Sequence, residues 1–279
     1  MNKKTQVSII VPTKNEEGNI LRCIRSIRQQ KFDGTLEIIL VDNNSEDKTV
    51  EIAKKLVDKI IIAGPERSTQ RNVGAKSAHG DWLLFLDADM ELSRNVIEEC
   101  LSLTKNRIVT PIITITEQGK GATFCGKALA LERNCYQYTF WLQAARFFPK
   151  KFFLKVGGYD VNLVAGEDWD ITERFRNEGL PNLYTKHSYL THHEPQTSLF
   201  ELLKKEMLYI KHIDKYAKKH PLSFSYQGSL LYRMFLWTRH WGELLRHPIL
   251  TTAFFSYKLL VWFMWQWHRR KFETRNVNN

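Results

Sequence analysis

Strand-like apolar runs separated by amphipathic segments constrain the first third of this chain more than any other feature. Residues 7–11, 36–41, 59–63 and 82–86 are rich in β-branched and other apolar side chains and read as strands. The stretches between them, about 19–30, 47–56 and 67–78, carry the mixed polar and apolar spacing of helices. Strands alternating with helices at this spacing predict a mostly parallel sheet covered by helices, an α/β fold. Ligands on such sheets bind beyond the carboxyl ends of the strands. The groups placed there are Thr13-Lys14-Asn15-Glu16, Asp42-Asn43-Asn44-Ser45 and Asp87-Ala88-Asp89.

The end of the fourth strand is the one that points to chemistry. The run WLLFLDADME reads as a buried strand that stops in two aspartates spaced i, i+2. On an extended backbone such residues point the same way. Asp87 and Asp89 are therefore expected to form an acidic claw for a hard divalent cation, which prefers oxygen ligands. Acidic residues also simply end strands, and the other strand ends are what favour a site.

Charge is unevenly distributed. The formal net charge is +11, with 43% hydrophobic residues, enough for a substantial globular core. Residues 1–100 carry 15 basic and 16 acidic side chains, residues 101–200 carry 12 and 9, and residues 201–279 carry 14 and 5. The basicity thus belongs to the C-terminal region and not to the strand ends. The four cysteines form no CxxC pair and no zinc spacing. The opening MNKKTQVSIIVP has a short apolar run broken at Pro12, which reads as a first strand and not a signal peptide. Reduced cysteines and a cytosolic active site are the expectation.

Beyond residue 104 the pattern changes. Residues 109–116 are strand-like, and the stretch to about 153 shows no clear period. Gly157-Gly158-Tyr159-Asp160 reads as a turn. Glu167-Asp168-Trp169-Asp170 opens a helix that Gly179 and Pro181 close. Residues 184–191 form a further strand ending in His192-His193, and from about 198 the chain is helical, basic and aromatic. The expected organisation is a catalytic domain over 1–197 and a helical appendage over 198–279.

Four segments together resemble the family 2 glycosyltransferases, inverting enzymes that use nucleotide-activated sugars on a GT-A fold. SIIVPTKNEEGNILRCIRSI is similar to their opening strand and helix, and IILVDNNSEDKTVEIA to their second-strand segment, with Asp42, Ser45, Asp47 and Thr49 in place. QRNVGAKSAHGDWLLFLDADM resembles the approach to their D-x-D element, and VGGYDVNLVAGEDWDITERFRNEG their acceptor-side segment. One departure is the second-strand motif, usually D-D-G-S and here Asp42-Asn43-Asn44-Ser45. Asn44 tolerates the left-handed backbone that a glycine would supply, while Asn43 removes a charge near the base pocket.

The resemblance implies roles. Asp89 becomes the direct ligand of Mg2+ or Mn2+, with Asp87 facing the ribose or sharing the metal. Such an ion neutralises charge developing on the leaving diphosphate. Asp42 is the candidate for holding the base, and Pro12, Thr13, Asn15 and Glu16 would line the base and ribose pocket. Arg71 could offer a planar fork to phosphate, or be an exposed helix arginine. Inversion in one displacement needs a carboxylate near the acceptor hydroxyl. Asp168 takes that role, favoured in its ionised form by the helix N-terminus; Glu167 beside it stays open as the alternative base. Trp169 and Asp170 fall on the acceptor side. Either His192 or His193 would be a third metal ligand, since alternation lets only one face the site. The donor would be UDP- or GDP-linked and the acceptor a glycan or lipid-linked hydroxyl.

The tail raises a second partner. Five of the eight tryptophans lie between Trp237 and Trp267. Residues 249–267 are about long enough to span a bilayer, but Lys258 sits mid-run, at a cost of ~3 kcal/mol in an insertion setting. Arg246 and His247 precede the run and Arg269-Arg270-Lys271 follow it. This favours helices lying on an anionic membrane surface over a single spanning helix, with a tail that merely closes the domain as the soluble alternative. The expected location is the cytoplasmic face of the membrane, peripheral or monotopic, with a single-pass span left open. No helix-turn-helix, RNP or zinc pattern supports nucleic acid. Two other functions compete: a nucleotidyltransferase, which would want a glycine-rich basic loop where this chain has PTKNEEGN, and a non-catalytic sugar-nucleotide-binding scaffold.

Overall fold

The computed structural model describes residues 5–277 of the chain. The MNKK opening and the side chains of Arg270 and Lys271 lie outside the described residues. The chain divides into two compact units. The first comprises residues 1–118, 143–162 and 167–193, and the second residues 119–142, 163–166 and 194–279. The segments expected as 1–197 and 198–279 therefore interleave, with residues 119–142 and 163–166 joining the C-terminal helices.

The first unit is built on β1 (Thr5–Thr13), α1 (Ile20–Arg28), β2 (Gly34–Asp42), α2 (Thr49–Ala53), β3 (Lys59–Ile62), α3 (Arg67–Ser77) and β4 (Trp82–Phe85). β5 (Met90–Leu92), α4 (Val96–Thr104) and β6 (Ile112–Lys120) follow; α5 (Phe124–Asn134) belongs to the second unit. β7 (Phe147–Pro149), α6 (Lys150–Lys155), α7 (Glu167–Asn177) and β8 (Asn182–His193) complete the first unit. The strands form one sheet in the order β3-β2-β1-β4-β7-β6-β8-β5.

β1 is the parallel centre. It pairs with β2 from Thr5↔Gly34 to Thr13↔Asp42 and with β4 from Val7↔Trp82 to Ile10↔Phe85. Val7, Ile9, Ile10 and Val11 are all fully buried, as expected for a strand covered on both faces. α1 covers one face with Ile20, Cys23, Ile24 and Ile27, the i, i+3, i+4, i+7 spacing of an amphipathic helix. Full burial of each such isoleucine contributes about 1.5–3 kcal/mol. α3 approaches the other face closely at Gly74, where a Cβ would lie 2.5 Å from Ile10 Cγ2; only glycine lets this helix sit so near the strand.

Past β4 the pairing turns antiparallel: β4 with β7, β7 with β6, and β5 with β8. The strand anticipated at 109–116 is β6, displaced toward the C-terminus. β5 and β7 have three residues each, too few to display an alternation in sequence.

The second unit contains α5, α8 (Leu199–Lys219), α9 (Pro221–Gln227), α10 (Leu230–Thr238), α11 (Trp241–Arg246) and α12 (Pro248–Val277). Its core gathers Ala128, Leu131, Cys135, Trp237, Leu244 and Phe254. Burial pushes the Cys135 thiol up to about 12, so it behaves as a packing residue and not as a thiolate. Within this core, the carboxylate of Glu132 accepts hydrogen bonds from Tyr136 Oη at 2.6 Å and lies 3.1 Å from Lys258 Nζ and 3.7 Å from Arg233 Nη1. Lys258, which sits mid-run in the apolar tail sequence, is thus the partner of a buried acid. No helix among the described residues is long and apolar enough to cross a membrane.

Candidate active site

The ends of β1 and β2 are locked to each other by side chains. Asp42, almost fully buried, accepts from Thr13 Oγ1 at 2.9 Å, Ser45 Oγ at 2.6 Å and Ser45 N at 2.8 Å. Asn15 N donates to Ser45 Oγ at 2.8 Å, Glu46 N donates to Asn15 Oδ1 at 2.9 Å, and Glu16 N donates to Thr49 Oγ1 at 2.7 Å. Both loops need a left-handed residue, and both use asparagine: Asn15 at φ 55° and Asn44 at φ 49°. Thr13, Asn15, Glu16 and Asp42 are thereby brought together, with Pro12 paired in the sheet to Val41. Burial raises the Glu16 carboxyl above its ordinary value; the hydrogen bond from Asn19 opposes this, and the charges of Asp89 and Asp87 add to it.

After β4 the chain leaves the extended conformation. Met90 N donates to Asp87 O at 3.0 Å, a turn that leads into β5. The i, i+2 argument for a shared direction therefore fails at its premise, and the two aspartates have different surroundings. Asp87 Oδ1 accepts from Arg71 Nη2 at 2.7 Å, and its Oδ2 lies 3.5 Å from Arg146 Nη1. Burial alone would push the Asp87 carboxyl up; Arg71, followed by Arg146 and Arg67, overrides it and holds the group far below the usual range. Asp89 Oδ2 instead lies 3.4 Å from His192 Nε2.

Register gives the two histidines different neighbours. β5 pairs with β8 so that Met90 faces His192, and neighbours on a strand point to opposite sides. His192 reaches Asp89, while the ring Nε2 of His193 lies 2.9 Å from Glu91 Oε2. Among the described residues no three His, Cys, Asp or Glu side chains gather as a metal cluster. Asp89 and His192 form one oxygen and nitrogen pair, beside the second oxygen and nitrogen pair of Glu91 and His193.

Arg71 on α3 is fully buried, so it is not a surface helix arginine. Its Nη1 donates to Asp168 Oδ1 at 2.7 Å and lies 3.4 Å from Glu167 Oε1. Its guanidinium carbon sits 5.0 Å from the Tyr159 ring centroid, a favourable cation–π placement. Arg146 Nε extends the chain of charges to Glu117 Oε1 at 3.0 Å, and Arg67 Nη2 reaches Glu167 Oε1 at 3.4 Å. Carboxylates and guanidiniums thus alternate from Glu117 through Arg146, Asp87 and Arg71 to Asp168 and Glu167. Buried charges are tolerated only when paired in this way.

The Tyr159 turn is fastened to α3. Asn72 Nδ2 donates to Tyr159 O and Tyr159 N donates to Asn72 Oδ1, both at 2.8 Å. Gly158, at φ 71°, makes the clamp possible, because a Cβ there would lie 2.4 Å from Asn72 Oδ1.

At the N-terminus of α7, Glu167 and Asp168 differ in exposure. The Glu167 side chain is 7% exposed and that of Asp168 26%. Burial, then the charge of Asp168, raises the Glu167 carboxyl, against the pull of Arg67 and Arg71. Asp170 does not join the set: it is fully buried and accepts from Arg174 Nε at 2.8 Å, an i, i+4 pair within the helix. Trp169 is partly buried beside Asp168 in the chain. Arg146, Glu117, Arg67 and Glu91 carried no sequence signal. Arg146 lies in the stretch without a period, and its partners are 29 and 59 positions away.

The family described as glycosyl transferase family 2 matches residues 8–153. A glycosyltransferase of Rickettsia typhi described as uncharacterized is 40% identical over 99 residues, 34% of this chain and 31% of its own length. The poly(ribitol-phosphate) beta-N-acetylglucosaminyltransferase TarS of Staphylococcus aureus is 32% identical over 100 residues, 33% of this chain and 18% of its own length. The chain thus spans less than a third of the length of these two relatives. A PGL/p-HBAD biosynthesis glycosyltransferase of Mycobacterium bovis is 30% identical over 190 residues, 63% of this chain and 72% of its own length. Among solved structures, the mannosyltransferase PcManGT from Pyrobaculum calidifontis, in complex with GDP-Man and Mn2+, superposes with a TM-score of 0.63 at 15% identity, covering 96% of this chain and 88% of that one. S. aureus TarS 1-349 in complex with UDP-GlcNAc superposes at 0.55 with 15% identity, covering 96% and 92%. The two superpositions carry the fold, which is GT-A-like, and the family match covers over half of the chain, from β1 through α6. The chain belongs to glycosyl transferase family 2.

Proposed function

We propose that this protein is an inverting glycosyltransferase, moving a sugar from a UDP- or GDP-linked donor to a hydroxyl of a glycan or lipid-linked acceptor at the cytoplasmic membrane surface. The observation that carries the reading is the Arg71 fork. It joins Asp87, just past β4, to Asp168, at the start of α7; the reading assigns the donor to the first and the acceptor to the second. TarS with UDP-GlcNAc and PcManGT with GDP-Man are the precedents for the two donor classes.

Asp168 is the base in this reading. Arg71 takes its Oδ1, so Oδ2 is the oxygen that receives the proton as the acceptor hydroxyl attacks the anomeric carbon. Glu167 is more buried and shifted toward its protonated form, which suits a positioning role behind Arg67 and Arg71. Asp42, Thr13, Asn15 and Glu16 lie at the β1 and β2 ends, where the donor's base and ribose would sit. Asp42 already accepts three hydrogen bonds, so its main contribution is to shape that loop pair. Trp169 offers an apolar face for the acceptor.

A divalent cation fits the site in a limited sense. Asp89 and His192 can supply one oxygen and one nitrogen 3.4 Å apart, and Mg2+ or Mn2+ is commonly held by one or two protein ligands plus substrate phosphates. When bound, such an ion would neutralise charge on the departing nucleoside diphosphate. Asp87, held between the guanidiniums of Arg71 and Arg146, would order the donor side in this reading and would not hold the ion alone.

The test is a panel of UDP- and GDP-sugars incubated with and without Mn2+, measuring nucleoside diphosphate release with a saccharide or lipid-saccharide acceptor. Release that requires the cation and disappears in Asp168→Asn supports the reading. Pyrophosphate release from nucleoside triphosphate and sugar phosphate would instead identify a nucleotidyltransferase.

A further inference from the structure

α10 presents apolar side chains on two opposite faces. Leu236 and Trp237 are buried, whereas Leu231, Met234 and Phe235 are exposed, Leu231 at 78% and Phe235 at 61%. The exposed three are spaced i, i+3, i+4 and so share one face. α11 repeats the arrangement in one and a half turns: Leu244 is buried, while Trp241 and Leu245, at i and i+4, are exposed at 53% and 60%. Ile249 in the first turn of α12 is exposed as well. Apolar side chains concentrated in this way on consecutive elements are unusual for a surface that meets only water.

The junctions between these helices are cationic. Arg239 and His240 link α10 to α11, and Arg246 ends α11 beside His247, which leads into α12. Arg239 and Arg246 are exposed. The one acid from residue 207 to the end of α11 besides Asp214 is Glu243, which lies 3.0 Å from Arg246 Nη1 and 3.4 Å from His247 Nε2. Exposed apolar side chains on consecutive helices, with arginines at the helix junctions and a tryptophan among them, have the composition of an interfacial helix.

We infer that the outer face of α10, α11 and the first turn of α12 docks on an anionic lipid surface, with Phe235 and Trp241 entering the acyl boundary and Arg239 and Arg246 meeting headgroup phosphates. Charge selects this occupant over a second copy of the chain, since two copies facing each other would bring like-charged rims together. Length selects an interfacial over a spanning placement. α10 has nine residues, a rise of about 14 Å against a hydrocarbon core of about 30 Å. The lipid-borne nature of the acceptor rests on the transferase reading; the docking itself does not.

The experiment is flotation of the full chain with vesicles of phosphatidylcholine alone and of phosphatidylcholine mixed with phosphatidylglycerol, at low and high salt. Binding is expected to the mixed vesicles at low salt. It should fall about fivefold for each of Arg239→Gln and Arg246→Gln and be lost in the Phe235→Glu, Trp241→Glu double variant. Trp241→Phe should retain it. Nucleoside diphosphate binding, followed in the same preparations, should be unchanged in all of these variants. Vesicle binding without any nucleotide binding would leave the docking standing and remove the transferase reading. The inference is overturned if the wild-type chain ignores mixed vesicles, if the arginine variants bind as well as wild type, or if light scattering shows a dimer that Phe235→Glu dissociates.

Discussion

Asp168 Oδ1 lies 2.7 Å from Nη1 of Arg71, a side chain with no exposed surface. The other arm of the same guanidinium holds Asp87 at 2.7 Å. One planar group therefore holds both the Asp87 and the Asp168 carboxylates. A lysine in its place would supply the charge but not the fork. Under the proposed inverting reaction, such a preorganised arrangement would hold the base opposite the leaving group before attack.

Removing the proposed proton acceptor, Asp168, should separate binding from transfer. Asp168→Asn keeps the shape and one hydrogen-bonding oxygen for Arg71, so donor binding is expected to be retained. Transfer should fall by about 10²–10⁴-fold, the usual range for a lost general base. Steady-state transfer and calorimetric nucleotide binding check the two halves, and a normal transfer rate would move the base elsewhere.

Arg71→Met should act first on stability. It leaves Asp87 and Asp168 without their shared cation, and stripping one partner from a buried ion pair costs about 3–5 kcal/mol. Urea unfolding measures the loss. Arg71→Lys should recover part of it while transfer stays impaired. An unchanged unfolding midpoint in Arg71→Met would show that Arg146 alone suffices for Asp87.

The adjacent histidines should behave differently. His192→Ala is expected to weaken Mn2+-dependent binding of a nucleoside diphosphate by at least about tenfold. His193→Ala, which gives up a contact with Glu91, should leave that cation dependence in place. Titrations with and without Mn2+ on both variants test the register argument directly, and equal losses would contradict it.

Glu132 gives a pH prediction in the second unit. Burial opposes ionisation of its carboxyl, but Lys258 and Arg233 outweigh it, and the group sits below its ordinary value of 4.5. An acid lowered in the folded state binds fewer protons there than in the unfolded chain. Its stabilising contribution is complete above the ordinary value and is lost as pH falls toward the folded one. Wild type should therefore lose stability more steeply than Glu132→Gln when unfolding is followed from about pH 7 to about pH 3. Parallel curves would remove Glu132 from the acid response.

The legible parts of the fold were those set by local periodicity. The runs that became β1, β2 and β4 are mostly apolar because they are buried on both faces, and α1 announces its inner face at Ile20, Cys23, Ile24 and Ile27. Asn44 was readable as a left-handed residue. β5 and β7 were not, being too short to establish a period, and α5 lay in a stretch that shows no clear period.

The sequence by itself determined the alternation of strands and helices, the polar character of the strand ends, and the family resemblance, because each is written within a few consecutive residues. Only the tertiary structure decided that Arg71 binds carboxylates 16 and 97 positions away, that His192 and not His193 faces Asp89, and that Lys258 answers Glu132. Those assignments depend on which segments the sheet and the helix packing bring within hydrogen-bonding reach. A side chain's type states what it can bind, and only the fold states what it meets.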